Sequence, residues 1–323
     1  MFSNLFQDIR FGLRLLAKSP AIAMNAVATL ALAIGANSAV FSVVNSILLR
    51  PLPFAHPDRL VMIWETSPHR SQQNDRVAWR DVREWREQSS AFENIGAFSL
   101  FSGMFAVEPA ARRLVGARVT INLFPLLGVA PQLGRPFGPE DQASLKGPRV
   151  LILSDGLWRR EFGADPGVIG KTMRSASNLF TIVGVMPPAF HFPSKEITPG
   201  WGFLSGEAEL FEPLVLATTD PLALVHTHVV IARLKDQTTV ARADAEMKGI
   251  AGRLERQYPE SNSGWGARVT PLSEQVVREA RPALRIFAGA VFCVLLIACA
   301  NVASLLLVRN SGRQKELSIR RAM

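Results

Sequence analysis

The chain has 323 residues, 36 Lys and Arg against 27 Asp and Glu, and a formal net charge of +9. Two thirds of that excess sits in short terminal flanks, so the basic balance does not describe a nucleic-acid-binding face. The only two cysteines, Cys293 and Cys299, lie in one uncharged stretch, which excludes a disulfide-stapled scaffold.

Residues 1–19 open the chain with Phe2, Leu5, Phe6, Ile9, Leu13 and Leu16 at three- and four-residue steps, and Arg10, Arg14 and Lys18 form a basic row between them. The pattern predicts a short amphipathic helix, lying at the cytoplasmic membrane surface or packed on another part of the protein. Ser19 to Leu49 then contains no Asp, Glu, Lys or Arg. About 20 apolar residues suffice to cross a bilayer, so residues 20–49 are expected to form a first transmembrane helix. At about 1.5 Å per residue the apolar run from Ala21 would measure roughly 44 Å, longer than the hydrocarbon layer, so part of it should tilt or project as a stem. The apolar region is too long for a removable signal peptide and reads as a retained anchor. Gly35 and Ala39, and Ala31 and Gly35, are spaced four apart, while Asn25, Asn37 and Asn45 are polar groups that lipid penalises. Both features suit a helix that packs on other helices. Pro51 and Pro53 end it.

The next 236 residues, Arg50 to Arg285, have the composition of a folded water-facing domain, and 50–281 is read as an extracytoplasmic core domain of two α/β subdomains. Expected strands are Leu60–Trp64, Arg112–Val119, Val150–Leu153, Leu179–Val185, Val225–Leu234 and Val269–Leu272. Helices or turns are expected at Val77–Phe92, Ser154–Phe162, Pro166–Gly170 and Val240–Tyr258. Strands alternating with helices predict α+β or α/β packing in preference to an all-β barrel, and the domain is read as α+β. All six tryptophans, at positions 64, 79, 85, 158, 201 and 265, fall in this region and read as core and subdomain contacts.

Ile286 to Val308 is a second uncharged run of 23 residues, and 282–308 is expected to be a second transmembrane helix. Asn301 lies inside it, and a buried amide in lipid calls for a partner helix. Residues 309–323 follow with five cationic residues and one acidic, a net +4, against +2 for residues 1–18. Basic flanks mark the cytoplasmic side, so both termini are expected in the cytoplasm, in a multi-pass inner-membrane protein.

No constellation rises to chemistry. Asp165-Pro-Gly-Val-Ile-Gly-Lys-Thr172 ends like a phosphate-binding loop, but the required first glycine is Asp165, whose carboxylate would repel phosphate. A turn leading into a strand is the better account. His226 and His228 alternate on a strand, yet a zinc site needs three or four ligands. His56, His69 and His191 are isolated, and Glu140 and Asp141 after Gly138-Pro139 read as a solvated turn. The chain is therefore read as a non-enzyme with no catalytic, cofactor-binding or metal-ligating residue.

Several blocks in order carry a family resemblance. They are Asp8-Ile-Arg-Phe-Gly-Leu-Arg-Leu-Leu16 with Pro20, Leu32-Ala-Ile-Gly-Ala-Asn-Ser-Ala-Val-Phe-Ser-Val-Val-Asn45, Asn122-Leu-Phe-Pro-Leu-Leu-Gly-Val129, Gly134-Arg-Pro-Phe137, Leu153-Ser-Asp-Gly-Leu-Trp-Arg-Arg-Glu-Phe-Gly163 and Val183-Gly-Val-Met-Pro-Pro-Ala-Phe190. With the basic segment Arg309 to Met323, they resemble ABC transporter permeases of the MacB/FtsX type, particularly the duplicated permeases of acidobacteria. The resemblance implies a permease subunit that couples a separate cytoplasmic ABC ATPase to an extracytoplasmic domain, in an export or mechanotransmission system. It also implies further permease helices or a second permease copy, a periplasmic partner and a cargo; the charge distribution speaks against nucleic acid. The alternative is a membrane-anchored extracytoplasmic binding or scaffold module without transport. Family members continue past the position of Met323, so this chain is expected to be an N-terminal part that stops as the FtsX-like permease domain begins. They usually carry a glycine in the turn before Val183-Gly-Val-Met-Pro187; here the stretch is Arg174-Ser-Ala-Ser-Asn-Leu179, and Asn178 is the expected substitute for a positive φ.

Overall fold

The computed structural model describes residues 53–67, 75–107, 110–142, 149–176, 178–194, 197–198, 207–215, 221–276, 278, 285–297 and 299–300, with isolated positions 24, 28, 31, 34, 35, 37, 38, 42 and 303. The chain divides into two units, Pro51–Arg278 and Met1–Arg50 with Glu279–Met323. In the first unit the order is β1 (Leu60–Thr66), β2 (Val77–Ala78), α1 (Trp79–Gln88), β3 (Phe92–Val107), β4 (Ala110–Val119), α2 (Leu123–Leu127), β5 (Leu133–Gly134), α3 (Pro139–Gln142), β6 (Arg149–Leu153) and α4 (Asp155–Phe162). There follow β7 (Thr172–Ser175), β8 (Asn178–Val185), β9 (Leu210–Pro213), β10 (His226–Leu234), α5 (Val240–Gln257), α6 (Pro259–Asn262) and β11 (Gly266–Pro271).

All eleven strands join one mixed sheet, ordered β11-β1-β10-β3-β4-β9-β6-β8-β5, with β2 on β10 and β7 against β3 and β8. The β4–β9 and β6–β8 pairs are parallel and the others antiparallel. This is the α+β architecture expected from the alternation of elements.

Strand alternation divides the apolar residues between two faces. Val61 and Ile63 of β1 and Val230 and Ala232 of β10 join Val82 and Trp85 of α1 on one face. The buried residues of α5 (Ala243, Met247, Ile250, Ala251 and Leu254) complete that layer at helical spacing. Thr239 starts α5 by accepting a hydrogen bond from the Arg242 N–H. Leu60, Met62 and Trp64 of β1 point the other way, with Val229 and Ile231, into a core built on α2 and a ring cluster. There Phe124 meets Phe211 edge-on at 5.3 Å, and Phe98 meets Phe192 at 4.9 Å. A third core lies at the far end of the β3–β4 ribbon, where Phe105 and Leu114 pack with β6, β8 and Leu157 of α4. Ser154 caps α4, accepting from the Leu157 N–H.

Three expectations need correction. The segment Val77–Phe92 is not one helix: Val77 and Ala78 pair with β10, α1 stops at Gln88, and Phe92 begins β3. The longest strand, β3, was not expected at all. Its Gly96 leaves room for α2, because a Cβ there would sit 2.9 Å from Leu123 Cδ1 and the leucine would have to shift. The positive φ before Val183 falls on Ala176 (φ 50°), not on Asn178, which is already the first residue of β8 paired with Ser175. A hairpin loop this short concentrates positive φ in the residues between the paired positions.

The amphipathic segment 1–19 and the basic segment 309–323 lie outside the described residues, as do most of 20–49 and part of 282–308. Among the described residues no helix is long and apolar enough to cross a membrane. Residues 285–297 are helical, and Ile286, Phe292, Leu296 and Ile297 are exposed on them.

Because Ala176 holds a left-handed conformation, Ala176→Gly should stabilise the domain by about 1 kcal/mol, read as a raised denaturant midpoint in chemical unfolding. An unchanged or lowered midpoint would show that the loop carries no strain.

Candidate functional site

The feature that bears on function is the root at which the chain enters and leaves the core domain. The first strand of the domain, β1, pairs antiparallel with the last, β11, from Val61 opposite Pro271 to Thr66 opposite Gly266. Incoming and outgoing chain therefore lie side by side at one end of the sheet. Trp64 Nε1 donates to Thr270 Oγ1 at 3.2 Å and ties the two strands through their side chains.

The incoming segment before β1 is strapped to the core by backbone and guanidinium bonds. Ala55 N–H donates to the Leu127 carbonyl of α2 at 3.0 Å. Arg233 of β10, 6% exposed, donates to the carbonyls of Ala55 (2.8 Å), Leu126 and His56. A guanidinium suits this place because its planar fork supplies several donors to carbonyls arranged around it. Arg59 repeats the device at the edge: Nε donates to the Leu234 carbonyl at 2.9 Å, and the other nitrogens reach Glu93 and Asp236 at 2.7 and 2.8 Å. Gly128 ends α2 at φ 73°, where a Cβ would lie 2.3 Å from that of Ala55. The turn needs glycine twice over, for conformation and for the close approach of the strap.

Sequence reasoning did not single out Arg59, Arg233, Ala55 or Gly128. A signal existed: Arg233 is the one charged residue in the apolar run Val229–Leu234, and an arginine in a buried strand requires partners.

Most motifs singled out from sequence lie apart from the root, although the Asn122–Val129 block supplies Leu126, Leu127 and Gly128 to it and the His56 carbonyl accepts from Arg233 there. Asp165 accepts from the Gly167 N–H and from Lys171 Nζ at 2.7 Å, so the phosphate-loop look-alike is a capped turn running into β7. The lysine that would bind phosphate is held by the residue that replaces the missing glycine. Glu140 and Asp141 do not form a simple solvated turn: Asp141 is bidentate with Arg135 at 2.6 and 2.9 Å and its side chain is 4% exposed. His191 meets Glu207 at 2.8 Å, both exposed. His69 and Trp201 lie outside the described residues.

His226 and His228 do not act as a pair. A register shift separates them on β10. His228 is buried against Trp79 and bonded to the Val77 carbonyl, and burial pulls its pKa down to about 4. His226 faces the carboxylate of Glu65, with Asp81 nearby, so carboxylates do approach this histidine. Among the described residues no group of three or more His, Cys, Asp or Glu is placed to hold a metal ion.

The profile of the MacB-like periplasmic core domain matches residues 24–250, well over half of the chain. The chain belongs to this family. Among solved structures it is similar to the periplasmic region of MacB from Actinobacillus actinomycetemcomitans, at 14% identity and TM-score 0.48, covering 69% of this chain and 92% of that one. It is also similar to the extracellular domain of the noncanonic ABC-type transporter YknZ from Gram-positive bacteria, at 13% identity and TM-score 0.46, covering 65% and 99%. No curated protein matches the chain. In this MacB-like core domain, matched from before the strap to the middle of α5, the root is the part through which the rest of the chain is joined.

Replacing Arg233 with Met keeps the aliphatic stem but leaves the Ala55 and Leu126 carbonyls without their donor. The expected cost is about 3 kcal/mol in equilibrium unfolding, the figure for orphaned buried acceptors and a lost charged donor. A change within a few tenths of a kcal/mol would mean the strap is incidental.

Proposed function

We propose that the core domain is the membrane-rooted extracytoplasmic module of an ABC-permease-type assembly, working as a binding or scaffold element that its anchors carry. The observation behind this reading is the root: first and last strands paired, with the incoming segment clamped by Arg233. A domain held at one end by two adjacent chain segments follows both when they move together. The uncharged residues 20–49 and 286–308, the latter within the expected span 282–308, supply the two anchors with their basic flanks.

The finer reading is that a separate cytoplasmic ABC ATPase presses on segments Asp8–Leu16 and Arg309–Arg321, and the anchors transmit that movement to export a cargo. Family membership and the sequence blocks at both ends support it. The scaffold reading without transport stays as the alternative. The nucleotide-like motif of the chain is a turn closed by its own Asp165–Lys171 ion pair, so either reading leaves nucleotide binding to a separate protein.

Two measurements decide. In intact cells, a membrane-impermeant thiol reagent should label Asp236→Cys, a position with a side chain 85% exposed, once Cys293 and Cys299 are replaced by Ser. Labelling only after lysis would overturn the extracytoplasmic assignment. Affinity purification of the full chain should then bring down an ABC ATPase, and its loss on deleting residues 309–323 would place the coupling there. A correctly placed chain that retains no ATPase contradicts the transport reading and leaves the scaffold.

A further inference from the structure

Glu65 and Asp81 are almost fully buried, at 1% and 3% exposure, and neither belongs to the strap at the root. Glu65 lies near the far end of β1. Its backbone exchanges hydrogen bonds with Asp75 in both directions, at 3.1 and 2.8 Å, and its carboxylate faces the Ala78 N–H and His226 Nδ1. His226 also bonds to the Arg76 backbone and stacks on the Trp265 indole, with centroids 4.1 Å apart and planes within 18°. Asp81 accepts from Asn262 Nδ2 at 2.9 Å through one oxygen; the other lies 3.5 Å from Arg80 Nε, and the Asp81 carboxylate also meets the Glu65 carboxyl, whose protonated form it favours. Arg80 is held by Ser261 and Asn262 and lies over the Tyr258 ring at 4.2 Å.

Further charged or titratable neighbours stand on each surrounding element. Glu84 of α1 accepts from Tyr258 and Gln88 and lies 3.8 Å from Arg83. His228 is next but one on β10, and Arg268 of β11 stands opposite Trp64 of β1. At the centre, two carboxylates and one guanidinium leave a single negative charge. One proton on the Glu65–His226 pair neutralises it. Removing that proton leaves the excess charge on two carboxylates that are almost fully buried, beside a partly exposed histidine, which is unfavourable.

We propose that Glu65, His226 and Asp81 form a one-proton latch that fastens the Asp75–Ala78 segment and β2 to β10, and that release of the proton frees this edge of the sheet. The geometry supports the latch directly, because the same Glu65 that takes the His226 bond also accepts from Ala78 of β2 and pairs through its backbone with Asp75. The electrostatics agree. Burial, against the opposing bond and charge of His226, lifts the Glu65 carboxyl to about 8. Burial resists charge on His226, but the bond and charge of Glu65 outweigh it and raise its pKa. Both folded-state values lie above the ordinary ones, so the stabilisation is complete at low pH and is lost as pH rises towards and through about 8. The two groups titrate as a pair.

Hydrogen–deuterium exchange of the full chain in detergent, corrected for intrinsic rates, tests the latch. Between about pH 6.5 and pH 9, residues 75–78 should lose protection by more than about tenfold relative to 149–153 of β6, because the closed form weakens roughly tenfold per pH unit below a folded-state value near 8 and levels off above it. Glu65→Gln keeps a hydrogen-bonding amide beside His226 without a titrating carboxyl, and should reduce that change to less than about twofold. The proposal is overturned if the wild-type ratio is unchanged across this interval, or if Glu65→Gln loses protection as the wild type does. If Glu65→Gln does not fold, the wild-type ratio and an NMR titration of the His226 ring decide. A His226 midpoint at or below the ordinary value of about 6.5 would overturn the latch.

Discussion

The pairing of the first strand with the last is the constraint on which the rest of the domain depends. Val61 and Pro271 must meet across some 210 residues of intervening chain, and closing such a loop costs about 5 kcal/mol before any packing is gained. The cost is offset because β1 is buried from both faces and held by β10 on its other edge. Leu60, Met62 and Trp64 fill one core while Val61 and Ile63 fill the other, so removing β1 would open two layers at once. A strand that binds both cores also brings the two ends of the domain to one place.

That arrangement has a mechanical weakness and a matching remedy. Two antiparallel strands loaded at the same end open one residue pair after another, beginning with Val61 and Pro271. The strap shifts the load before it reaches β1. Ala55 is bonded to α2, and Arg233 gathers the carbonyls of the strap and of α2 onto β10, an interior strand between β1 and β3. Force on the incoming chain is thereby spread over three elements. The price is a buried guanidinium, tolerable because its donors are occupied by carbonyls, and a turn at Gly128 that admits no side chain.

Much of this fold is legible in the sequence where one physical signal dominates. The β-rich runs at Val150–Leu153 and Leu179–Val185 form strands, and the helices expected at Ser154–Phe162 and Val240–Tyr258 appear as α4 and α5. The reading fails where tertiary contact overrides local pattern. β3 carries Gly96 and Gly103 and no clean alternation, because it serves different cores along its length and is crossed by α2; nothing local marks that. Val77 and Ala78 leave the expected helix to pair with β10 next to Glu65. The strap is a long-range object: its residues are separated by up to 178 positions, and no short motif announces it. The carboxylates near His226 come from β1 and α1, so spacing around the histidine says nothing of them.

The core domain is thus best understood as a body whose attachment is as carefully built as its interior. The most direct measurement is single-molecule pulling on the full chain, with handles at Pro53→Cys and Val276→Cys after replacing Cys293 and Cys299 with Ser. The account predicts that Arg233→Met lowers the force of the first rupture, because the strap lies in the load path. Identical first-rupture forces in the two proteins would contradict it.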